Sequence, residues 1–130
     1  VEIIEEDNPE LVKYLLYKWY KEHAKKKFQL IADKHLKRLK KYGISNPNIK
    51  IRKMKTRWGS SKSDNNTILL NIELIKVPSH CIEYVILHEL CHLKYPFHNQ
   101  KFYDFLTLLM ADWKSRKQRL EEFGGYLHFD

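Results

Sequence analysis

The chain has 130 residues, of which 43% are hydrophobic and 13% aromatic, as is typical of one soluble globular domain. No apolar run approaches the roughly 18 to 20 residues that a membrane span needs, so we expect no transmembrane segment. The formal net charge is +8, and residues 13–41 alone carry eleven basic and two acidic residues, a balance of +9. This stretch indicates either a solvated lysine-rich helix face, which we favour, or a surface that attracts nucleic acid or anionic lipid.

Cysteine content and the first residue bear on the compartment and on completeness. If Cys81 and Cys91 lie on one helix, they are about 15 Å apart along its axis. A disulfide needs Cα atoms within roughly 7 Å, so both should be reduced, which suits a cytoplasmic protein. The chain begins with Val1 instead of methionine, which indicates an excised fragment and leaves a leader undetermined.

A long helix is predicted for the first third of the chain. Asp7-Asn8-Pro9-Glu10 reads as a helix start with an Asx cap and proline in the first turn, and Tyr42-Gly43 as its end. Helices above about 25 residues are unusual in a small domain, so we expect a bend or break between Glu22 and Lys27. The apolar positions that continue the periodicity are Val12, Leu15, Leu16, Trp19, Ala24, Phe28, Ile31, Leu36 and Leu39.

Two strands are predicted next. Residues 49–54 alternate apolar and basic side chains, and residues 67–71 form a short β-prone run. Residues 59–66, rich in Gly, Ser, Asp and Asn, are predicted to be a loop. A chain that leaves one strand and returns by a single loop forms an antiparallel pair, which we expect here.

The remainder is predicted to be helical. One helix begins at Val77-Pro78-Ser79, with Ser79 as its cap and Glu83 as a partner in the first turn. It should stop near Tyr95, because Pro96 disfavours helical geometry before it. Two more helical stretches follow, over residues 102–110 and 113–123, before Gly124-Gly125.

Residues 88–98 read HELCHLKYPFH. Positions i and i+4 of a helix share one face, so His88 and His92 can present imidazole nitrogens to one metal ion. Glu89 starts about 100° around the helix, beside that face, where its carboxylate can take a proton from a zinc-activated water without being a ligand. This arrangement is typical of H-E-x-x-H hydrolases.

His98 is the predicted third ligand, since a catalytic zinc needs three protein ligands and an open fourth position. Pro96 ends the helix and lets the chain turn back, so that His98 reaches the same ion as His92. Hydrogen-bonded core histidines and a purely structural zinc site remain open as alternatives. Cys91 is predicted to be a small packed residue and not a fourth ligand. No comparable arrangement surrounds the other histidines, which are His23, His35, His80 and His128.

Three further segments carry a family resemblance. Residues 54–60, MKTRWGS, resemble the R-W-G-S turn of YgjP-like metallopeptidases, which are relatives of the SprT-like and WLM zincins. Residues 70–78, LNIELIKVP, resemble the segment that leads into the active-site helix of that family. Residues 98–102, HNQKF, are similar to its third-ligand motif, in which phenylalanine follows the histidine four positions later. The resemblance runs from about Trp19 to Glu122.

The resemblance implies an α+β, minimal zincin-like fold, and the length of the chain indicates a single domain over residues 1–130. In that fold a small antiparallel sheet packs against a long N-terminal helix, the active-site helix and C-terminal helices. It also implies Zn²⁺ bound by His88, His92 and His98, Glu89 as general base, and a peptide or protein substrate.

Four further expectations concern single residues and the N-terminus. Arg57 is our choice for contacting substrate or an oxyanion, because a fixed guanidinium stabilises developing negative charge. Trp58 is a candidate wall of the cleft, although a core position for Trp58 and a carboxylate partner for Arg57 fit equally well. Ser61 stands where the family commonly has cysteine. The family usually carries a β-rich segment before the first helix, for which this sequence offers only Val1 to Glu6.

A zinc-dependent peptidase is the leading interpretation, and two alternatives remain. A metal-dependent nucleotide phosphohydrolase or pyrophosphatase could use the same site, as suggested by an acid-free basic run. A nucleic-acid-associated adaptor with structural zinc could use the lysine-rich first helix, and a protease recruited to DNA combines two of these ideas. The sequence leaves the native metal and the oligomeric state undetermined. The basic run comprises Lys50, Arg52, Lys53, Lys55, Arg57 and Lys62.

Overall fold

A computed structural model describes residues 8–124 and residue 127. Within them the α+β class is confirmed, with four α-helices and one three-stranded sheet. The helices are α1 (Pro9–Leu39), α2 (Ser79–His92), α3 (Gln100–Leu109) and α4 (Trp113–Glu121), and the strands are β1 (Asn48–Arg52), β2 (Gly59–Lys62) and β3 (Thr67–Asn71). Short 3-10 stretches follow α1, β2 and β3.

Helix α1 runs for 31 residues without interruption, so the helix does not break between Glu22 and Lys27, whereas a bend there stays a prediction. The predicted start is confirmed: the Asn8 side chain accepts a hydrogen bond from the Leu11 backbone N–H at 3.2 Å. At the other end a 3-10 turn leads into Gly43, whose φ of +86° gives the left-handed conformation predicted there.

Only the second half of α1 enters the core. Leu16 and Trp19, which belong to the predicted apolar stripe, are 39% and 46% exposed. Because lysine, leucine and alanine favour the helix, the exposed first half continues without a break. The buried positions recur at helical spacing and are Ala24, Phe28, Ala32, His35, Leu36 and Leu39.

The sheet differs from the prediction in both content and direction. Gly59–Lys62, predicted to be a loop, forms strand β2, which pairs antiparallel with β3 through Gly59↔Leu70 and Lys62↔Thr67. Strand β1 pairs with the other edge of β3 in parallel, with Ile49 opposite Ile68. The chain therefore reverses direction twice between β1 and β3, which is why the predicted antiparallel pairing of these two runs is wrong.

Helix α2 lies at the centre of the core, with residues 84–92 all buried. It packs against α1, α3, α4 and β2. Pro78, not the predicted Ser79, occupies the cap position, and no side chain caps the helix there. Helix α2 ends at His92, three residues before Tyr95, because the backbone N–H groups of Lys94 and Tyr95 both turn back to the carbonyl of Cys91.

Several predictions lie wholly or partly outside the described residues: Asp7, the segment Val1 to Glu6, Gly125 and His128. Cys81 and Cys91 are buried free thiols, as predicted. None of the helices in the described part of the chain is long and apolar enough to cross a membrane.

Candidate metal centre

Three imidazoles meet at the C-terminal end of α2. His88 and His92 lie one helical turn apart on α2, and the loop after the helix brings His98 back to them. Their Nε2 atoms converge: His98 Nε2 lies 2.8 Å from His92 Nε2 and 3.3 Å from His88 Nε2. His88 and His92 are each 3% exposed, whereas His98 is exposed, so the cluster opens on one side.

The backbone fixes the orientation of His92. Its Nδ1 lies 3.0 Å from the carbonyl oxygen of Tyr95. A carbonyl only accepts hydrogen bonds, so Nδ1 must carry the proton, and the Nε2 lone pair then points into the cluster. The turn of the chain at residues 93–95 therefore also prepares the tautomer that a metal ligand requires.

Phe102, at the start of α3, sets the spacing of the three rings. Its ring stacks on that of His92 at a centroid distance of 4.3 Å and meets the rings of His88 and His98 edge-on at 5.0 and 5.2 Å. Phe102 is fully buried, and the Asn99 side chain accepts a hydrogen bond from its backbone N–H at 3.2 Å. The phenylalanine four positions after His98 therefore has a packing role that the sequence alone did not specify.

The donor set fits a small divalent cation. One ligand atom of each histidine lies within 4.8 Å of the other two. Nitrogen ligands in a tetrahedral zinc site lie about 2.0 to 2.1 Å from the ion and hence about 3.3 Å from one another. The observed separations of 2.8 and 3.3 Å are close to that value, so a cation could be accommodated with small ring movements.

Glu89 is fully buried and its carboxylate lies against β2. Ser61 Oγ donates toward Glu89, lying 2.6 Å from Oε1 and 2.8 Å from the backbone carbonyl oxygen of the same residue. Gly59 makes the close approach possible, because a Cβ atom there would lie 3.0 Å from Glu89 Oε2. Strand β2 therefore determines where the carboxylate lies, and its small residues are explained by this contact.

Comparison with known proteins bears on this geometry. The YgjP-like metallopeptidase domain family matches residues 2–123. This chain belongs to that family. No curated protein matches the sequence.

Two solved structures share the fold of this YgjP-like chain. Abylysin from Pyrococcus abyssi, crystallised as a metallopeptidase zymogen, is 20% identical with a TM-score of 0.66, and the match covers 77% of this chain and 97% of abylysin. Jannalysin from Methanocaldococcus jannaschii, also a metallopeptidase zymogen, is 24% identical with a TM-score of 0.64, and the match covers 75% and 89%. At these identities the likeness supports the fold alone.

The R-W-G-S turn of this YgjP-like chain is held by Asn71. The fully buried Asn71 side chain donates to the backbone carbonyls of Met54 and Arg57 at 3.0 and 2.8 Å. Its Oδ1 accepts from the Glu73 N–H at 3.1 Å. Asn71 thus connects β3 to the turn before β2, a role that sequence reasoning missed. The available signal was an asparagine within a short β-prone run, because a polar side chain that is buried in a strand needs hydrogen-bond partners.

The structure places the two predicted substrate contacts in different surroundings. Trp58 is 3% exposed and belongs to the core, where a Cβ atom on Gly124 would lie 3.0 Å from its Cζ2. Arg57 is exposed and lines a cavity on the open face of the sheet. Contact of either residue with substrate stays a prediction.

Cys91 and the other described histidines, which are His23, His35 and His80, lie outside the cluster. Burial raises the pKa of the Cys91 thiol to about 12, so it stays protonated and packs as a small core residue, as predicted. His23 stacks on Trp19 at the exposed part of α1, and His35 lies 3.4 Å from Glu83 Oε2.

Proposed function

We propose that this YgjP-like metallopeptidase is a zinc-dependent peptidase in which His88, His92 and His98 hold the metal and Glu89 is the general base. The convergence of three Nε2 atoms, with the buried Glu89 next to His88 in the sequence of α2, is the observation that carries the proposal. Bound zinc would supply Lewis-acid polarisation of the scissile carbonyl and a lowered water pKa. The family and its structural neighbours support a divalent metal and a peptide or protein substrate.

Glu89 carries the proton in this proposal. It accepts a proton as the water oxygen bonds to the carbonyl carbon, and it delivers that proton to the amide nitrogen as the C–N bond breaks. The hydrogen bond from Ser61 Oγ to Oε1 restricts rotation of the carboxylate. Burial of Glu89 excludes bulk water from competing for the carboxylate. Ser61 is therefore a positioning residue in this proposal.

The variant Glu89→Gln tests the assignment. It keeps the shape of the side chain but removes the base, so we expect full zinc content and a kcat lower by about 10²- to 10⁴-fold. Zinc is measured by elemental analysis and turnover with a quenched fluorescent peptide library. The matched variant His98→Ala should lose both zinc and turnover. Undiminished peptide cleavage by Glu89→Gln would exclude Glu89 as the base.

A peptide is favoured over a nucleotide by the two faces of β2. Gly59 and Ser61 face Glu89, whereas the next residue along the strand from each, Ser60 and Lys62, lines the basic cavity on the other face of the sheet. A phosphate bound by the basic run is then separated from Glu89 by the sheet. Release of phosphate or pyrophosphate from nucleoside triphosphates by the zinc form would instead favour the nucleotide interpretation.

We also propose that residues 1–130 form one domain. In support, a single buried cluster joins residues from Ala24 on α1 to Leu127 near the C-terminus. A cytoplasmic location stays a prediction from the two reduced cysteines.

A further inference from the structure

The open face of the sheet is basic. Side chains alternate along each strand, so Ile51, Ile68 and Leu70 are buried while Lys50, Arg52 and Lys62 are exposed on the other face. Register places Lys50 and Ser60 on either side of Leu69. The loop between β1 and β2 adds Lys53 and Lys55 at the edge of this face.

Two adjoining cavities follow this face. The larger, of about 650 Å³, lies between the sheet and the loop of residues 53–57. The smaller, of about 370 Å³, lies along the edge strand β1 at residues 49–52 and reaches Lys21 and Lys25 on α1. Lys50, Arg52 and Leu69 line both, so the two cavities adjoin, and we call them together the basic groove. Its cations are Lys21, Lys25, Lys50, Arg52, Lys53, Lys55, Arg57 and Lys62.

No described residue that lines either cavity is acidic. Asp64, which lies between Lys62 and Asn65, is exposed but does not line either cavity, and Glu73 is paired with Lys76 at 2.7 Å. In contrast, the two arginines of α4 form ion pairs within the chain: Arg116 pairs with Glu83 and Asp112, and Arg119 pairs with Glu122. A concave basic surface concentrates anions.

We propose that the basic groove binds duplex nucleic acid through its phosphodiester backbone. Successive outward side chains on a strand, such as Lys50 and Arg52, lie about 6.6 Å apart, which allows each to meet a different phosphate along one backbone. Arginine can contact a phosphate through two N–H groups, and lysine as a point charge. Such contacts read charge and not sequence.

Other polyanions fit the basic groove less well. A peptide gains affinity through main-chain hydrogen bonds at a sheet edge, whereas the larger cavity lies on a face of the sheet and offers side chains. A bilayer is flat and binds through protruding apolar and basic groups, but these cations line a concavity. No described residue lining the groove is aromatic, so the base stacking that favours single strands is missing.

The test compares two triple variants that remove the same number of positive charges. Lys50→Gln/Arg52→Gln/Lys62→Gln alters the groove, and Lys13→Gln/Lys37→Gln/Lys40→Gln alters exposed lysines of α1 and the following turn. Binding of a fluorescent 25-base-pair duplex is followed by anisotropy between 50 and 200 mM salt. Because each lost phosphate contact reduces the log–log salt slope by about 0.9, the groove variant should show a slope shallower by about 2.7. At 50 mM salt it should bind at least 10-fold more weakly, and the α1 variant within about 3-fold of the parent.

Equal weakening by both triple variants would overturn the proposal, since net charge alone would then explain binding. So would tighter binding of single-stranded DNA of the same sequence, of polyglutamate or of phosphatidylserine vesicles. Circular dichroism melts of each variant establish folding; if the groove variant fails to fold, the single variants Lys50→Gln and Lys62→Gln are measured, each with an expected slope change of about 0.9. Binding is measured without turnover, so its outcome is independent of the proposed peptidase activity.

Discussion

Helix α2 carries two polar clusters built on opposite electrostatic principles. Around Glu83 the groups have opposite charge: Lys34 Nζ lies 3.0 Å from Oε2 and Arg116 Nη1 lies 2.7 Å from Oε1. Around His88 the groups are alike, and three imidazoles bring their Nε2 atoms together at 2.8 and 3.3 Å. The first cluster joins α1, α2 and α4, and the second joins α2 to the loop before α3.

The difference indicates that the Glu83 cluster serves stability and that the histidine cluster serves function. Burial alone would raise the pKa of Glu83, but hydrogen bonds from Lys34 and Arg116 outweigh it and hold that pKa at about 2. Glu83 is therefore charged and satisfied without any ligand. Convergent lone pairs, by contrast, repel one another unless a proton or a metal cation lies between them. We infer that the first cluster stabilises the helix packing and that the second exists to bind metal.

The largest effect is expected when one imidazole is removed from the second cluster. Outer partners of a metal ligand already contribute 10- to 100-fold to affinity, so His98→Ala, which deletes a ligand, should weaken zinc binding by more than about 100-fold. Competition with a chromophoric chelator measures the affinity. His80→Ala, at the exposed start of the same helix, is the matched control and should bind zinc normally. Unchanged affinity in His98→Ala would remove that histidine from the ligand set.

The variant Glu83→Gln should instead lower the free energy of unfolding and leave zinc affinity unchanged. Breaking a fully buried ion pair costs about 3 to 5 kcal/mol; because the Glu83 side chain is 18% and Lys34 70% exposed, we expect about 2 kcal/mol. Urea unfolding at pH 7 provides the measurement. A loss of zinc without a loss of stability would contradict the division between the clusters.

Lowering the pH should remove the difference in free energy of unfolding between the parent and Glu83→Gln. The pKa of Glu83 is lowered in the fold from 4.5 to about 2, so its contribution is complete above about pH 4.5 and is lost as the pH falls toward 2. The stability gap between the parent and Glu83→Gln should therefore narrow steadily across that window. Urea midpoints measured at several pH values across it test this; a gap that is constant with pH would mean that the carboxylate charge is not involved.

A smaller effect is expected from Ser61→Ala, which removes the hydroxyl that positions Glu89. We expect kcat to fall about 10-fold, because one hydrogen bond to a charged group is worth about 1.5 kcal/mol, with KM and zinc content unchanged. Ser61→Thr keeps the hydroxyl and should retain most of the activity. A rise in KM with constant kcat in Ser61→Ala would indicate a substrate contact instead of a positioning role.

The smallest effect should come from Lys34→Ala. This lysine is the exposed partner in the Glu83 cluster, and surface ion pairs contribute about 0 to 1 kcal/mol. We expect a loss of at most about 0.5 kcal/mol in urea unfolding, well below that of Glu83→Gln. A loss as large as that of Glu83→Gln would mean that Lys34, and not Arg116, is the main partner.

Local sequence patterns determined the helices and much of the histidine cluster. The cap at Asn8, the left-handed Gly43 and the stop before Pro96 depend on neighbours in sequence, and the i,i+4 spacing of His88 and His92 requires only a helix. The resemblance to YgjP-like metallopeptidases was likewise contained in short motifs. These features needed no knowledge of what packs against them.

Contacts between distant segments decided the rest. Residues 59–62 have the composition of a loop, yet they form a strand because β3 pairs with them and Glu89 packs against Gly59 and Ser61. That extra strand reversed the direction of β1 relative to β3 and separated the basic groove from the histidines. Propensity counts only local terms, whereas strand pairing and burial of a carboxylate gain their free energy from residues far away in sequence, so only the tertiary structure could determine them.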